Sequence, residues 1–372
     1  MSCTVVGAGV NGLSIAFHLL ERGLGPVTVI DRAGVAAGAS GVQPGGVRQQ
    51  WSTRASCLMA RESHAFYIDL SERLGVAVAA QFDPCGYLFL SDTDETLGRL
   101  AANVAVQQEA GVPSRLLTRA ESLEAVPSLR DDGFVGAAFC GEDGYFDRPQ
   151  AVVEAFAEAA RTRGARLEQA EVAGITRDGA GWRIETRSGD LTSDVLIVAA
   201  GVDSRPLLAP LGFDLPLVSE ARHLFLSDFL APGLLDTLVI AVDRGLAAKQ
   251  LADGRLLASD LTANGDPVAE QGRWRRRIAE QLASLLPALD VPLPTMRSGI
   301  YDLTPDAQPV IDQLDDGLWV AAGFSGHGFM IAPSTGRLVA GTLAGEEQPE
   351  WREAVAWERF AARGRERESQ VI

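Results

Sequence analysis

The chain has 372 residues, of which 47% are hydrophobic, and this is enough apolar material for two or three domain-sized units with a buried core. A formal net charge of −16 at pH 7 argues against nucleic acid and anionic membrane surfaces as partners, and the most apolar later stretch, residues 224–242, is broken by charges and a proline. The four cysteines form no CxxC pair or Cys/His cluster, so we expect no metal site and reduced thiols in a cytoplasmic protein. No basic segment followed by an apolar run precedes the first strand, so we expect no export signal.

The first 31 residues predict a dinucleotide-binding unit. An apolar strand leads into Gly7, Gly9 and Gly12, a helical pattern follows, and a second apolar strand ends in Asp31. The first glycine permits a tight turn, the second lets the backbone approach a pyrophosphate, and the third lets the helix pack on the strand. The helix N-terminus favours phosphate, and Asp31 can accept hydrogen bonds from a ribose diol. Strand, glycines, helix and acid together favour this interpretation over a merely structural glycine turn.

A glycine-rich and almost uncharged loop follows at residues 36–52. Loops of this length in compact domains usually have a function, and its place after the second strand predicts that it passes over a bound cofactor. Its one cation is Arg48. A solvated linker is the alternative, and a lone arginine does not by itself decide between a surface role and a site role.

The middle of the chain predicts a second unit and a return to the first. Residues 52–74 have a helical pattern in which Leu58, Phe66, Ile68 and Leu70 face inward, with His64 and Tyr67 in the packing. Residues 82–90 alternate as a strand does, and the chain then leaves the nucleotide unit. The segment at residues 194–201, which is apolar throughout after Asp194, predicts a central parallel strand of the first sheet.

The next segment predicts strands, a hairpin and an amphipathic helix. The hairpin signal lies at Asp253–Gly254. Residues 268–289 place Trp274, Ile278, Leu282 and Leu285 on one face of a helix. Four arginines between residues 273 and 277 favour a solvated helix face over a phosphate site, given the acidic balance of the chain.

A second glycine cluster lies near the other end of the chain. An apolar strand at residues 318–322 runs into the glycines of residues 323–328, and a helix begins near Pro333. Glycines at this spacing indicate that main chain closely approaches another group. A helix N-terminus there would stabilise negative charge at the far end of the cofactor, which for a flavin develops on the N1–C2=O locus.

Four motifs in this order resemble the D-amino-acid oxidase-like flavoprotein family: GAGVNG with VID, GASGVQPGGVRQQWS, LIVAAG, and YDLTPDAQPVI with GFSGHGFM. The sarcosine oxidase, dimethylglycine dehydrogenase and proline dehydrogenase beta-subunit branches are the most similar, from Cys3 to about Phe360. The resemblance implies an α/β (α+β) fold, with a discontinuous Rossmann-like FAD-binding domain and a substrate domain built on an antiparallel sheet. The FAD-binding domain would comprise residues 1–80, 148–214 and 298–372, and the substrate domain residues 81–147 and 215–297.

The resemblance also implies an activity and roles for individual residues. The activity is oxidation of a C–N bond in an amine or an N-alkyl or imino amino acid by hydride transfer to flavin N5. Arg48, Tyr301 and His327 would be catalytic, and Trp51, Tyr301 and Met330 would border the substrate cavity. Contacts with FAD would come from Gly7, Gly9, Val10, Asn11, Gly12, Asp31, Arg32, Ala39, Ser40, Gly46, Val47, Arg48, Val172, Ala200, Gly201, Gly323, Phe324, Gly326, His327, Gly328, Phe329 and Met330.

Departures from the family pattern refine these expectations. The cysteine that attaches flavin in one branch falls at about Gly299, and residues 36–48 contain no histidine, so we expect noncovalent FAD. The arginine and lysine that clamp a substrate carboxylate fall at Trp51 and Met330, which favours a bulkier or less acidic amine over a small amino acid. The lysine linked to dioxygen falls near Leu256, with Lys249 close in sequence. Either dioxygen or another molecule could therefore be the electron acceptor.

Two alternatives remain at the level of sequence. An NAD-dependent dehydrogenase would explain the first glycine cluster, but it has no need of a second one so far along the chain. A flavin-binding subunit or assembly factor without turnover of its own is compatible with the missing carboxylate clamp. The sequence does not name the substrate, and it leaves open a homo-oligomer and a beta-type subunit of a larger complex.

Overall fold

The computed structural model describes residues 1–130, 133–361 and 366–370, and within these ranges the chain forms twenty strands and nine α-helices. The strands are β1 (Cys3–Val6), β2 (Val27–Asp31), β3 (Gly46–Val47), β4 (Phe82–Asp83), β5 (Tyr87–Ser91), β6 (Arg115–Thr118), β7 (Gly136–Cys140), β8 (Gly144–Phe146), β9 (Arg166–Gln169), β10 (Val172–Asp178), β11 (Gly181–Thr186), β12 (Leu191–Ser193), β13 (Val195–Val198), β14 (Val218–Phe229), β15 (Leu238–Ala241), β16 (Leu246–Gln250), β17 (Arg255–Asp260), β18 (Thr295–Leu303), β19 (Val310–Asp315) and β20 (Leu318–Ala322). The helices are α1 (Val10–Glu21), α2 (Arg54–Ile68), α3 (Leu70–Leu74), α4 (Asp94–Glu109), α5 (Arg119–Ala125), α6 (Pro149–Thr162), α7 (Ser204–Leu208), α8 (Pro267–Leu285) and α9 (Ala332–Leu343).

The first sheet has six strands in the order β19-β20-β13-β1-β2-β9. All neighbouring pairs are parallel except β19 with β20 at one edge. All four residues of β13 are buried between β1 and β20, which confirms the prediction of a central parallel strand at this position. Because parallel strands are covered on both faces, such near-continuous apolar runs are expected there.

Helices α1 and α9 pack closely on one face of this sheet. A Cβ on Gly336 of α9 would lie 2.5 Å from the Ser14 Oγ of α1, so only glycine allows this approach. The aromatic rings of Phe17, Phe66 and Phe156 join α1, α2 and α6 in the same core, with ring centroids 5.9 to 6.2 Å apart. The helix predicted to begin near Pro333 begins at Ala332.

The second large sheet has eight strands in the order β18-β14-β17-β16-β15-β5-β7-β6. Its pairs are antiparallel except for β5 with β15. Helix α8 buries Trp274, Ile278, Leu282 and Leu285 in the core of this sheet, which confirms the predicted helix face. The predicted boundary at residue 298 falls inside β18, and the division into two domains at the stated residues stays a prediction.

One predicted core position is wrong. Ile68 is 58% exposed, because α2 ends at this residue and the chain turns at Asp69 before α3 begins. His64 and Tyr67 are buried, as predicted for the packing of α2. Among the described residues, no helix is both long enough and apolar enough to cross a membrane, and no group of three or more His, Cys, Asp or Glu side chains could hold a metal ion.

Candidate functional site

Main chain packs tightly around the early glycines. Gly7 has a φ of +116°, and a Cβ there would lie 2.2 Å from the carbonyl oxygen of Ala199. A Cβ on Gly12 would lie 2.0 Å from the carbonyl oxygen of Gly7. Neither position has room for a side chain, so α1 starts directly against the ends of β1 and β13.

Asp31 and Ser40 hold the same turn from outside it. Asp31 Oδ2 accepts a hydrogen bond from the N–H of Ala8 at 2.8 Å, and its Oδ1 accepts from the N–H groups of Ala33 at 2.8 Å and Gly34 at 2.9 Å. Ser40 Oγ accepts from the N–H of Val10, in the first turn of α1, at 3.0 Å. The sequence indicated only a ribose contact for Asp31. In the fold its carboxylate connects the glycine turn to the loop after β2, and the ribose contact stays a prediction.

A second carboxylate performs the same task at the late glycines. Asp302 Oδ2 accepts a hydrogen bond from the N–H of Gly323 at 2.7 Å, and burial raises the pKa of Asp302 to about 6. Ser325 has a φ of +50°, an uncommon conformation for a residue with a side chain. A Cβ on Gly326 would lie 2.2 Å from the ring of Tyr301, so this glycine makes room for the tyrosine. The sequence analysis missed Asp302, although an acid directly after Tyr301 was a visible signal.

The two glycine clusters are joined to each other. Asn11 Nδ2 donates a hydrogen bond to the carbonyl oxygen of Gly328 at 3.2 Å, and Ser14 Oγ donates to the carbonyl oxygen of Ala332 at 2.7 Å. A Cβ on Gly328 would lie 2.7 Å from Asn11 Nδ2. The packing of α1 against α9 therefore fixes the distance between residues 11 and 328.

Both clusters line a single cleft of about 560 Å³, a size typical of small-molecule and cofactor sites. The predicted site residues that line it are Gly7, Gly9, Val10, Asn11, Asp31, Arg32, Ala39, Ser40, Val172, Ala200, Gly201, Tyr301, Phe324, Gly326, Gly328 and Phe329. The predicted residues that do not line it are Gly12, Gly46, Val47, Arg48, Trp51, Gly323, His327 and Met330. For the second group, contact with a cofactor or a substrate stays a prediction.

The chemistry of this cleft fits a dinucleotide. The first turn of α1 lies in its wall, and helix N-termini bind phosphate through N–H groups and the helix dipole. Asn11 Oδ1 is buried and has no hydrogen-bond partner among the described residues, so it can accept from a ligand. Arg32 and Asp203 form an ion pair of 2.8 Å at the rim. Residues from both ends of the chain could therefore hold one elongated ligand.

Arg48 is fully buried beside this cleft. Its Nη1 donates to the carbonyl oxygen of Gln50 and its Nη2 to that of Gln370. The guanidinium carbon lies 3.6 Å from the ring centroid of Trp51, an arrangement that favours cation–π attraction. Burial lowers the pKa of Arg48 to about 10, against the attraction of Glu368, so the side chain is a cation at neutral pH.

His327 also packs against the Trp51 ring. The two ring centroids are 4.2 Å apart in an edge-to-face arrangement, and Trp51 Nε1 donates to the carbonyl oxygen of Arg48 at 3.2 Å. Burial, and then the nearby Arg48 cation, hold the pKa of His327 well below its usual value of 6.5. His327 Nε2 is buried without a partner among the described residues. The structure thus brings two predicted catalytic residues together around one tryptophan.

Two residues of this cluster escaped the sequence analysis. Asp143 accepts from the N–H of Gln49 at 2.8 Å and from Gln50 Nε2 at 3.0 Å, and burial raises its pKa to about 6. Tyr87 is buried with its hydroxyl beside Gly46, where a Cβ would lie 2.0 Å from that oxygen. Neither has a local signal, because each reaches the cluster through strand pairing across the fold.

Lys249 is the single lysine of the sequence, and it is buried. Its Nζ donates to the carbonyl oxygen of Pro44 at 2.8 Å and lies 3.5 Å from the ring centroid of Tyr145. Pro44 lines the cleft, so this hydrogen bond from Lys249 holds the loop at residues 36–52 in place at the cleft. Burial lowers the pKa of Lys249 to about 7, so its charge changes near neutral pH.

Arg222 is a further cation that the sequence analysis did not single out. It lines the cleft on β14, its guanidinium carbon lies 5.6 Å from the ring centroid of Tyr301, and its Nη1 pairs with Glu220. The register of the sheet brings Arg222 close to Tyr301, because β14 pairs with β18 and Glu220 lies opposite Tyr301. The carboxylate of Glu220 balances the charge of Arg222.

Comparison with known proteins gives a consistent result. Residues 2–342 match the protein family described as FAD dependent oxidoreductase. The chain is 28% identical to glycine oxidase from Geobacillus kaustophilus, covering 92% of this chain and 93% of that protein. It is 27% identical to sarcosine oxidase subunit beta from Rhodobacter capsulatus, covering 91% of this chain and 84% of that protein. The crystal structure of L-proline dehydrogenase from P. horikoshii superposes with a TM-score of 0.89 at 28% identity, covering 98% of this chain and 99% of that one.

Proposed function

The chain belongs to the FAD-dependent oxidoreductase family, and on that premise we propose that it oxidises the C–N bond of an amine or of an N-alkyl or imino amino acid. FAD is its cofactor, so an NAD-dependent dehydrogenase no longer competes. The observation that carries the proposal is the meeting of two glycine clusters, one near each end of the chain, on one cleft that reaches Tyr301. The relatives named above act on glycine, sarcosine and proline by name, which supports an amine or amino-acid substrate.

The chemistry divides between cofactor and protein. When bound, FAD would supply the electron acceptor for a hydride from the carbon next to the amine nitrogen, which would leave an imine to hydrolyse or be passed on. Main chain at Gly7, Gly9 and the first turn of α1 would hold the cofactor. We propose noncovalent attachment, since Gly299 of the cleft stands where the attachment cysteine of one branch falls.

Arg48 and its neighbours would keep the substrate amine neutral. An amine must hold a lone pair to lose hydride, and a nearby fixed cation together with desolvation disfavours its protonated form. Arg48 is such a cation, and the His327 ring beside it is neutral because its pKa is lowered. The same cation and the N-terminus of α9 would stabilise negative charge that develops on the cofactor.

The available cations argue against a strong carboxylate clamp. Both Arg48 Nη atoms already donate to main-chain carbonyls, Arg222 is paired with Glu220, and Trp51 and Met330 occupy the clamp positions. Part of each guanidinium is therefore already engaged, and among the described residues Arg48 Nε and Arg222 Nε are buried N–H groups that have no partner. We therefore propose an amine whose recognition depends on shape and on aromatic contacts such as Tyr301 more than on a carboxylate.

A panel of amines tests the activity. The purified holoprotein is mixed without air with N-methyl amines, secondary amines, imino acids and small amino acids, and the flavin absorbance is followed. We expect bleaching by at least one amine class, and faster bleaching by substituted amines than by glycine. A repeat with air separates an oxidase from a dehydrogenase. Failure of every class would contradict independent turnover.

Arg48→Ala tests the proposed role of the cation. We expect FAD still bound and flavin reduction about 100-fold slower, because preorganised charge near the reacting atoms is typically worth that much. Arg54→Ala is the matched control, since Arg54 lies six residues away but is half-exposed and pairs with the exposed Glu350. A reduction rate in Arg48→Ala equal to that of the control would remove Arg48 from the mechanism.

A second candidate is a beta-type subunit that works only within a complex. The similarity to sarcosine oxidase subunit beta favours it. Bleaching of the isolated chain by an amine would contradict this candidate, and co-purification of a second polypeptide needed for bleaching would support it.

A further inference from the structure

The C-terminal segment Glu366–Gln370 buries two of its five side chains. Glu368 is 1% exposed and Gln370 is 7% exposed, whereas Glu366 is exposed. The segment is anchored on the way in, because the N–H of Glu368 donates to the carbonyl oxygen of Asp306 at 2.9 Å. Nothing in the proposed reaction uses these residues, yet a buried charged group needs partners that compensate its loss of water.

Glu368 has such partners at the start of α2. Its carboxylate accepts hydrogen bonds from the N–H of Ser52 at 2.9 Å and of Thr53 at 3.1 Å, and from both hydroxyl groups, Ser52 Oγ at 2.6 Å and Thr53 Oγ1 at 3.1 Å. Thr53 is the N-cap of α2. A carboxylate at a helix N-terminus gains from charge-assisted bonds and from the helix dipole. Glu368 therefore fixes the point at which the loop carrying Arg48 and Trp51 enters the helix.

Gln370 contacts Arg48 itself. Its main-chain carbonyl accepts from Arg48 Nη2, although the two residues are 322 positions apart. Its side-chain Oε1 accepts from Asn103 Nδ2 on α4 at 2.7 Å, and Gln107 Nε2 on the same helix donates to the carbonyl oxygen of Trp51 at 2.9 Å. The segment thus joins Arg48, the Trp51 turn and α4.

These contacts account for the position of Arg48. An arginine gives up considerable side-chain entropy when it is fixed, and its guanidinium is costly to bury without acceptors and a counter-charge. The segment supplies one of its two main-chain acceptors, and Glu368 is the largest favourable electrostatic influence on the Arg48 cation. Without the segment, the guanidinium would lose an acceptor and its strongest negative neighbour.

We infer that the C-terminal segment belongs to the active site, with Glu368 and Gln370 as positioning residues that hold the Arg48 guanidinium and the Trp51 ring in place. The inference rests on the proposed function in one respect, since positioning matters for catalysis only if Arg48 acts there. The placement of the turn at residues 48–53 by Glu368 does not depend on that role.

The test compares Glu368→Gln with Glu366→Gln in the full-length holoprotein. Both variants remove one negative charge from the same segment, but Glu366 is exposed and its contact with Gln308 uses only the main-chain carbonyl. In Glu368→Gln we expect hydrogen exchange at the amides of Ser52 and Thr53 to accelerate about tenfold or more, since those amides lose a charged acceptor. In Glu368→Gln a displaced Arg48 cation would stabilise the reduced flavin less, so we expect a more negative reduction potential of the bound flavin and flavin reduction about tenfold slower. In Glu366→Gln we expect no change in the exchange rates, the potential or the reduction rate.

A double-mutant cycle decides whether Glu368 acts through Arg48. If it does, Glu368→Gln slows flavin reduction in the native background but has no further effect in Arg48→Ala. Gln370→Ala is the second variant, for use if Glu368→Gln does not fold. It removes only the side-chain amide that accepts hydrogen bonds from Asn103 and Gln107, and we expect it to slow flavin reduction in the native background but not in Arg48→Ala.

The outcomes separate the two proposals. Equal exchange and equal reduction rates in Glu368→Gln and Glu366→Gln would overturn the inference. Equal slowing by Glu368→Gln in both backgrounds would overturn positioning through Arg48. A normal reduction rate in Arg48→Ala, together with fast exchange in Glu368→Gln, would instead contradict the proposed role of Arg48 and leave the segment as the element that holds the turn.

Discussion

The two halves of the site are made of different material. At the nucleotide half, the wall around Gly7 and Gly12 is main chain packed against main chain, with contacts that no side chain could enter. The half around Arg48, whose residues do not line the cleft, instead packs side chains of Trp51, Asp143 and His327 together and is closed by the C-terminal segment. The first half tolerates no added atoms, and the second depends on buried charges being matched.

The contrast has a physical consequence for robustness. Main-chain packing depends on excluded volume, which does not change with pH, whereas buried ionisable groups connect stability to proton binding. We therefore expect the nucleotide half to fail mainly through steric substitutions and the Arg48 half to respond more strongly to changes in charge. Three experiments address this difference, in order of decreasing expected effect.

The largest effect is expected for Gly12→Ala. The new Cβ would lie 2.0 Å from the carbonyl oxygen of Gly7, a main-chain atom that cannot move without displacing the end of β1. We expect the free energy of unfolding to fall by about 4 kcal/mol or more, with loss of bound FAD, as measured by denaturant unfolding and flavin content.

Gly98→Ala is the control for a glycine inside a helix. Gly98 lies on α4, is exposed, and would place its Cβ more than 4 Å from the nearest neighbouring atoms. We expect unchanged flavin content and a free energy of unfolding up to about 1 kcal/mol higher, because alanine is the better helix former. Similar destabilisation by the two variants would mean that the early turn is not sterically closed.

The next effect concerns Lys249, which supports the loop beside the Arg48 half. Burial lowers its pKa from 10.5 to about 7 in the folded state. The free energy of unfolding is therefore highest above the unfolded pKa and decreases as the pH falls toward 7, because the unfolded chain binds the proton first. Between pH 9 and pH 6 we expect the native protein to lose about 3 kcal/mol more than Lys249→Met. Because the chain has one lysine, labelled lysine gives one side-chain NMR signal for direct titration. A signal that titrates near its denaturant-unfolded value would contradict the buried position.

The smallest effect of the three belongs to His18 on α1, behind the nucleotide half. Burial lowers its pKa from 6.5 to about 4, and its Nδ1 lies 2.8 Å from the carbonyl oxygen of Ser14. Since the folded state disfavours the protonated ring, stability present above pH 6.5 is lost as the pH falls. From pH 7.5 to pH 5 we expect the native protein to lose about 2 kcal/mol more than His18→Gln, by denaturant unfolding at both values. Parallel losses in the two proteins would place the titrating group elsewhere.

Local patterns predicted the elements with strong periodicity. The buried face of α8 and the central position of β13 follow from apolar spacing, which depends only on neighbours along the chain. Ile68 shows the limit of this reasoning, because it continues the apolar pattern of α2 but lies at the helix end, where the chain turns away from the core.

The sequence by itself determined the glycine clusters, the acid after the second strand and the family resemblance, because close main-chain approach demands glycine and glycine is visible in the sequence. Only the tertiary structure decided that Asp302 holds the late turn, that Lys249 lies behind Pro44, and that Glu368 and Gln370 meet Arg48. These contacts join residues that strand pairing and helix packing bring together from distant parts of the chain. A buried charge is matched by whichever partner the fold places beside it, and no spacing along the sequence encodes that choice.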